Sequence, residues 1–225
     1  MSNLKDTILF PSLLAADFLK IGSQLDDLFN SGINNLHFDV MDGHFVREIS
    51  FGEGVLKTLS KDKRFNIDAH LMVTNPKEHI ESFSGLGVKN ITFHIETTDN
   101  PSELIELIHS YGIKAGVSIK PATSLESVLP FVSKADMILI MTVEPGLGGQ
   151  SILPATIEKI KRLDEYVKTN LLNTKIQIDG GVTSENIKML AESGAQYIVA
   201  GTAVFKGNIT ENVANIRKEL NNASV

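Results

Sequence analysis

The sequence contains no cysteine. Disulfides are thereby excluded, and any metal must be held by nitrogen and oxygen donors rather than thiolates. There is no long run of lysine or arginine, and 27 acidic side chains against 21 basic ones leave a net charge of −6. That balance argues against nucleic acid and anionic membranes as partners. No stretch reaches the ~18 consecutive apolar residues a membrane span requires. The N-terminal segment MSNLKDTILFPSLL is interrupted by Pro11 and is too short for a signal-peptide core, so the expected compartment is the cytoplasm. No linker or low-complexity tract breaks the chain, and residues 1–225 are expected to form one domain.

With 42% hydrophobic and 21% charged residues the composition is that of a soluble globular protein. Short runs rich in Ile, Val, Phe and Leu alternate with longer segments of helical period. The runs predict strands at 8–12, 34–40, 66–72, 90–95, 114–119, 136–141, 174–179 and 196–200. Helices are expected after Asp17, Ser124, Ser184 and Asn208, and from Pro76, Pro101 and Pro154, with Asn75 and Asn100 as caps. Glycine near the end of a helical segment, as at Gly194, is a stop signal. Eight strand–helix units in a chain of this length fit a (β/α)8 barrel. A doubly wound open sheet is the rival, but it usually carries a glycine-rich turn after its first strand. Here that turn reads SLLAADF, without glycine, which favours the parallel eight-stranded barrel.

In such a barrel chemistry sits at the C-terminal ends of the strands. Ser12, Asp39, His70, His94, Glu144, Asp179 and Thr202 all fall at or just after these ends. Residues two apart on a strand share a face, so His37, Asp39 and Met41 point the same way. His37, Asp39, His70 and Asp179 together offer two imidazoles and two carboxylates, a donor set for one divalent ion. Zn2+ suits it best, and Fe2+, Mn2+ or Co2+ are accommodated by the same ligands. Alone, each histidine reads as a satisfied core residue and each aspartate as a helix cap; convergence at strand ends favours a site. His44, His79, His94 and His109 have weaker claims, and His109 is expected on a helix surface.

Glycines mark a second group. Gly146, Gly148 and Gly149 follow strand six, Gly180 and Gly181 follow strand seven, and Gly201 with Thr202 follows strand eight. Each pair alone reads as a tight turn. On consecutive strands they point to a phosphate site, because glycine lets backbone N–H groups approach an anion closely. Met41, Met72 and Met141 fall at the mouth ends of three strands. Methionine ordinarily fills gaps, but here the three would form a dry lining beside the metal. Lys120 could serve as a Schiff-base lysine, although a solvated loop lysine is the simpler reading.

The segments PSLLAADF, HFDVMDGHFV, HLMV, FHIE, KPAT, MTVEPGLGGQ, IDGGV and AGTAVF, in this order, resemble the ribulose-phosphate 3-epimerase family over nearly the whole length. The resemblance implies a (β/α)8 barrel and a divalent metal on His37, Asp39, His70 and Asp179. It implies that Asp39 and Asp179 are the acid–base pair. Substrate contacts are implied at Ser12 and His70, at Met41, Met72 and Met141, and toward the phosphate at Gly146, Leu147, Gly148, Gly149, Gly180, Gly181, Gly201 and Thr202. The chain departs from the family pattern at Arg47 and Glu48, where Pro-Asn is usual. It also departs at Leu147 for Phe, Thr202 for Ser and Ala15 for Ser. These changes leave every implied ligand and proton carrier in place and fall around the mouth.

The implied activity is epimerisation at C3 of D-ribulose 5-phosphate to D-xylulose 5-phosphate. Two carboxylates on opposite faces of an ene-diolate would remove and return the proton, with one divalent metal ion as cofactor. The expected partners are a phosphorylated ketopentose and further copies of the chain in a homo-oligomer, with neither nucleic acid nor membrane. A 3-epimerase of a six-carbon ketose phosphate such as allulose 6-phosphate shares the same machinery. A metal- and phosphate-binding protein without catalysis is a reading of another class, but it has no need of two proton carriers.

Overall fold

The computed structural model describes residues 7–221. Its centre is a sheet of eight parallel strands: β1 (Ile8–Pro11), β2 (Asn35–Met41), β3 (Asn66–Met72), β4 (Asn90–His94), β5 (Lys114–Ile119), β6 (Met137–Met141), β7 (Lys175–Asp179) and β8 (Tyr197–Ala200). The order β1-β8-β7-β6-β5-β4-β3-β2 places every strand beside its successor, and a parallel bridge between Ser12 and His37 joins the two ends. The result is a (β/α)8 barrel. Each strand lies within one or two residues of the run that predicts it, because a largely apolar run suits a strand buried on both faces. The core is made of those runs: Leu36, Phe38, Ile91, Phe93, Val117, Ile138, Ile140 and Ile178 are all buried.

Helices α1 (Ile21–Asn30), α2 (Glu53–Leu59), α3 (Pro76–Phe83), α4 (Pro101–Ser110), α5 (Pro154–Thr169), α6 (Ile187–Glu192), α7 (Thr202–Phe205) and α8 (Ile209–Asn221) occupy the connections between strands and the segment after β8. Each long helix packs one stripe. In α5 the buried residues are Thr156, Ile160, Leu163 and Val167, a spacing that keeps one face on the sheet. Pro154 opens α5 in its first turn, where the missing N–H costs nothing. Among the described residues no helix is long and apolar enough to cross a membrane.

Two local expectations are corrected. The segment after Ser124 forms two short 3-10 turns, Leu125–Ser127 and Leu129–Phe131, in place of an α-helix. Pro130 removes a backbone donor and disfavours helical geometry at Leu129, so the chain turns tightly instead. Asn100 caps α4 by accepting from the Glu103 N–H, whereas the Asn75 side chain makes no capping bond to α3.

Candidate active site

β2 and β3 run in register, with His37 opposite Asp68 and Asp39 opposite His70. Imidazole and carboxylate therefore alternate along both strands and across them, on the face that looks into the barrel. Asp179 ends β7 and Ser12 follows β1, so four strands deliver polar groups to the same end. One donor atom from each of His37, Asp39, His70 and Asp179 lies within 4.8 Å of the others. His37 and His70 are fully buried and Asp39 nearly so, while the Asp179 side chain keeps 14% of its surface exposed.

Each group is held by its neighbours. His37 Nδ1 lies 2.8 Å from Asp68 Oδ2, which also accepts from Gln177 Nε2 at 2.7 Å. This places the Nδ1 hydrogen of His37 on Asp68 and leaves Nε2 facing Asp39 Oδ1 at 3.2 Å and Asp179 Oδ2 at 3.8 Å. Ser12 Oγ donates to the other Asp39 oxygen at 2.6 Å. Ser50 ties the end of β2 together, donating to the Asp39 carbonyl at 2.6 Å and accepting from Met41 N–H at 3.0 Å.

The electrostatics follow from that packing. Burial pushes the Asp39 carboxyl up, but in the metal-free site the positive field of the His37 and His70 imidazoles outweighs it and holds Asp39 far below the usual carboxylate range. Asp179 is pushed up to about 6, first by burial and then by the negative charge of Asp39. The two carboxyl groups are thus driven apart, one held ionised and one biased toward its acid form. For His37 burial acts downward, but Asp39 and Asp68 overcome it and raise the imidazole well above its ordinary value.

The donor set fits a divalent cation. His37 Nε2 is completely buried and, among the described residues, has no well-directed hydrogen-bond partner, yet it faces two carboxylate oxygens. A lone pair in that position is repelled unless positive charge sits between. The field that raises the proton affinity of His37 would attract a cation, and two nitrogens with two carboxylates are suitable donors. His37 is held from behind by Asp68, the arrangement that orients metal-bound imidazoles.

A cavity of about 570 Å³ opens above Asp39 and Asp179. Ser12, Met41, Met72 and Met141 line it, with Gly146, Leu147, Gly148 and Gly149 after β6, Gly180 and Gly181 after β7, and Gly201 and Thr202 after β8. His37 and His70 do not reach the cavity surface; they lie beneath its carboxylate floor. Two glycines are sterically required. Gly180 has φ +114°, and a Cβ there would come 2.3 Å from Val143 Cγ2; Gly181 has φ +66°, and a Cβ would lie 2.7 Å from Ile152 N. Gln150 Nε2 staples the loop after β6 by donating to the carbonyls of Glu144 and Leu147.

The departures at the mouth are placed as well. The loop after β2 folds back on itself through a bond from Gly43 N–H to the Glu48 carbonyl at 3.0 Å, and the Glu48 carboxylate rests against Gly146. Leu147 is 60% exposed at the cavity rim. Lys120 does not line the cavity; its ammonium sits 3.7 Å over the Phe45 ring. His109 is half-exposed on α4 and pairs with Asp136 at 2.7 Å. Asp68, Gln177, Ser50 and Glu96 carry polar contacts that the sequence reading did not single out. Asp68 could have been found, since it precedes His70 by two positions and shares its face.

Known proteins bear on this arrangement. A profile described as the ribulose-phosphate 3 epimerase family matches residues 8–205. The cytoplasmic isoform of ribulose-phosphate 3-epimerase from Oryza sativa subsp. japonica is 39% identical over 199 residues, covering 87% of this chain and 86% of its own. The ribulose-phosphate 3-epimerase of Schizosaccharomyces pombe is 38% identical over 207 residues, covering 90% and 89%. Among solved structures, thiamine phosphate pyrophosphorylase from Pyrococcus furiosus superposes with a TM-score of 0.65 at 11% identity, covering 99% of both chains. At that identity the likeness shows the barrel alone. The chain belongs to the ribulose-phosphate 3-epimerase family and is an epimerase.

Proposed function

We propose that this epimerase interconverts D-ribulose 5-phosphate and D-xylulose 5-phosphate by inverting C3, with one divalent cation held by His37, Asp39, His70 and Asp179. The observation that carries the reading is the pair of carboxyl groups at the cavity floor, with Asp39 held ionised and Asp179 raised to about 6. Inverting a carbon next to a carbonyl requires a base to take the proton from one face and an acid to return one to the other. A carboxylate and a carboxylic acid with separated proton affinities supply both.

In one direction Asp39 accepts the C3 proton and Asp179 delivers its own; in the reverse direction the roles exchange. Ser12 orients Asp39 through its outer oxygen. When bound, the cation supplies Lewis-acid stabilisation of the negative charge that develops on the sugar oxygens. Zn2+ is the ion best matched to two imidazoles and two carboxylates. Met41, Met72 and Met141 give the floor an apolar surround that keeps stray water from the reacting carbon. The glycine loops after β6, β7 and β8 take the phosphate through backbone N–H groups, so binding energy far from C3 orients the sugar.

The test is turnover of D-ribulose 5-phosphate alongside allulose 6-phosphate and free ribulose. Efficiency should be highest for the phosphorylated pentose. A preference for the six-carbon ester would reassign the substrate, and no turnover of any of them would refute the activity.

A further inference from the structure

The hydrogen-bond chain does not stop at His70. On the side away from the carboxylates, His70 Nε2 lies 3.0 Å from His94 Nε2, and His94 Nδ1 lies 3.1 Å from Glu96 Oε2. His94 ends β4 and Glu96 occupies the turn after it. The other Glu96 oxygen is already engaged, accepting from Lys120 N–H at 2.8 Å and from the Thr123 hydroxyl. The two imidazoles stack with centroids 5.0 Å apart, and Phe45 packs against His94 at 4.7 Å. Neither histidine is exposed to solvent.

We propose that Glu96 and His94 are positioning residues that fix the tautomer of His70, so that His70 offers Nδ1 to the divalent cation while His37 offers Nε2. The inference rests on the metal site proposed above and specifies which atoms it uses.

The direction of each bond follows from the chemistry of its ends. An ionised carboxylate only accepts, so His94 Nδ1 carries the hydrogen facing Glu96. A neutral imidazole has one N–H, which leaves His94 Nε2 a bare acceptor. Two bare nitrogens 3.0 Å apart would repel, so His70 Nε2 carries the second hydrogen. His70 Nδ1 is then the nitrogen left for the cation, on the side of Asp39 Oδ1 at 3.2 Å and Asp179 Oδ2 at 3.7 Å. Each histidine of the cluster is therefore backed by a carboxylate, His37 directly by Asp68 and His70 through His94 by Glu96. Such outer partners typically change metal affinity by ~10–100-fold when removed.

The test has two readouts. Protein labelled with 15N in its histidines is loaded with 113Cd2+, and the ring nitrogens coupled to cadmium are identified by NMR. Coupling is expected at His70 Nδ1 and His37 Nε2. Zinc affinity is then measured by chelator competition for wild type, His94→Phe, Glu96→Ala and His94→Gln. The first two should bind zinc about 10–100-fold more weakly. His94→Gln should remain within a few-fold, because its carboxamide oxygen can accept the His70 Nε2 hydrogen. Cadmium coupled to His70 Nε2, or a His94→Phe variant that binds zinc as tightly as wild type, would overturn the inference and leave the metal site standing. A wild-type protein that binds neither ion would remove the metal site and this inference with it. The cadmium experiment needs no substitution, so it decides even if a variant fails to fold.

Discussion

Asp39 and Asp179 face the same two imidazole nitrogens. His37 Nε2 lies 3.2 Å from Asp39 and 3.8 Å from Asp179, and His70 Nδ1 lies 3.2 Å and 3.7 Å from the same two oxygens. Asp39 is the nearer partner of both and takes most of their positive field. Asp179 receives less of it and also feels the charge of Asp39, which is why one carboxyl is held down and the other driven up.

Each carboxylate should therefore be indispensable. Asp39→Asn and Asp179→Asn are each expected to lower kcat by at least ~10²–10⁴-fold, the usual worth of a positioned acid or base. Metal content must be determined on the same samples, since either change also removes a charged donor. A variant that keeps its metal and near-normal turnover would show that its carboxylate carries no essential proton.

Removing the metal should abolish turnover and lower the melting temperature, and adding Zn2+ back should restore both. Binding to the folded state alone stabilises by about 2.7 kcal/mol when free ion is a hundredfold above Kd. Full activity in protein that elemental analysis finds metal-free would contradict the proposed site.

The phosphate loops should respond separately from the metal. In Gly201→Val the new side chain meets Ala15, since a Cβ there already lies 3.1 Å from the Ala15 Cβ. Gly181→Ala is strained by a positive φ and by Ile152 N. Losing one hydrogen bond to a charged phosphate costs about 1.5–3 kcal/mol, or roughly 10–100-fold. The efficiency ratio of ribulose 5-phosphate to ribulose should fall by that factor in both variants, with metal content unchanged. A ratio near one in wild type, or one unaffected by the substitutions, would put the phosphate elsewhere.

Acid should weaken the metal-free protein partly through His94. Burial holds this imidazole down to about 4 from its ordinary 6.5, so across that interval the unfolded chain binds a proton the folded chain refuses. The stability gained by keeping His94 neutral is complete above pH 6.5 and is lost as pH falls toward 4. Asp179 acts in the opposite sense: raised from 3.8 to about 6, it favours the folded state at low pH and loses that contribution as pH rises. Comparing wild type with His94→Gln cancels the Asp179 effect. The melting-temperature advantage of wild type over the variant should shrink as pH is lowered from 6.5 to 4. A gap independent of pH would contradict the assignment.

What was legible in the sequence was periodic. The alternation of His37, Asp39 and Met41 survives folding because a strand projects every second residue to one face, and the barrel brings four strand ends together without further instruction. Less visible were groups whose role depends on a distant partner. Gln177 sits in an apolar run and gains meaning only by donating to Asp68 across the barrel. Glu96 looks like a helix-turn residue until His94 is seen against His70. The depth of His37 and His70 below the cavity was equally hidden, since strand pattern gives the face of a side chain but not its layer. The helix expected after Ser124 failed for a local reason, Pro130, whose ring and missing N–H favour tight turns.

The most direct measurement is the fate of solvent hydrogen. When the epimerase turns over D-ribulose 5-phosphate in deuterated water, D-xylulose 5-phosphate should carry deuterium at C3, because the returning proton comes from a carboxyl group that has exchanged with solvent. Product that retains only hydrogen at C3 after many turnovers would contradict transfer through Asp39 and Asp179 and point instead to an internal hydride shift or to cleavage of a carbon–carbon bond.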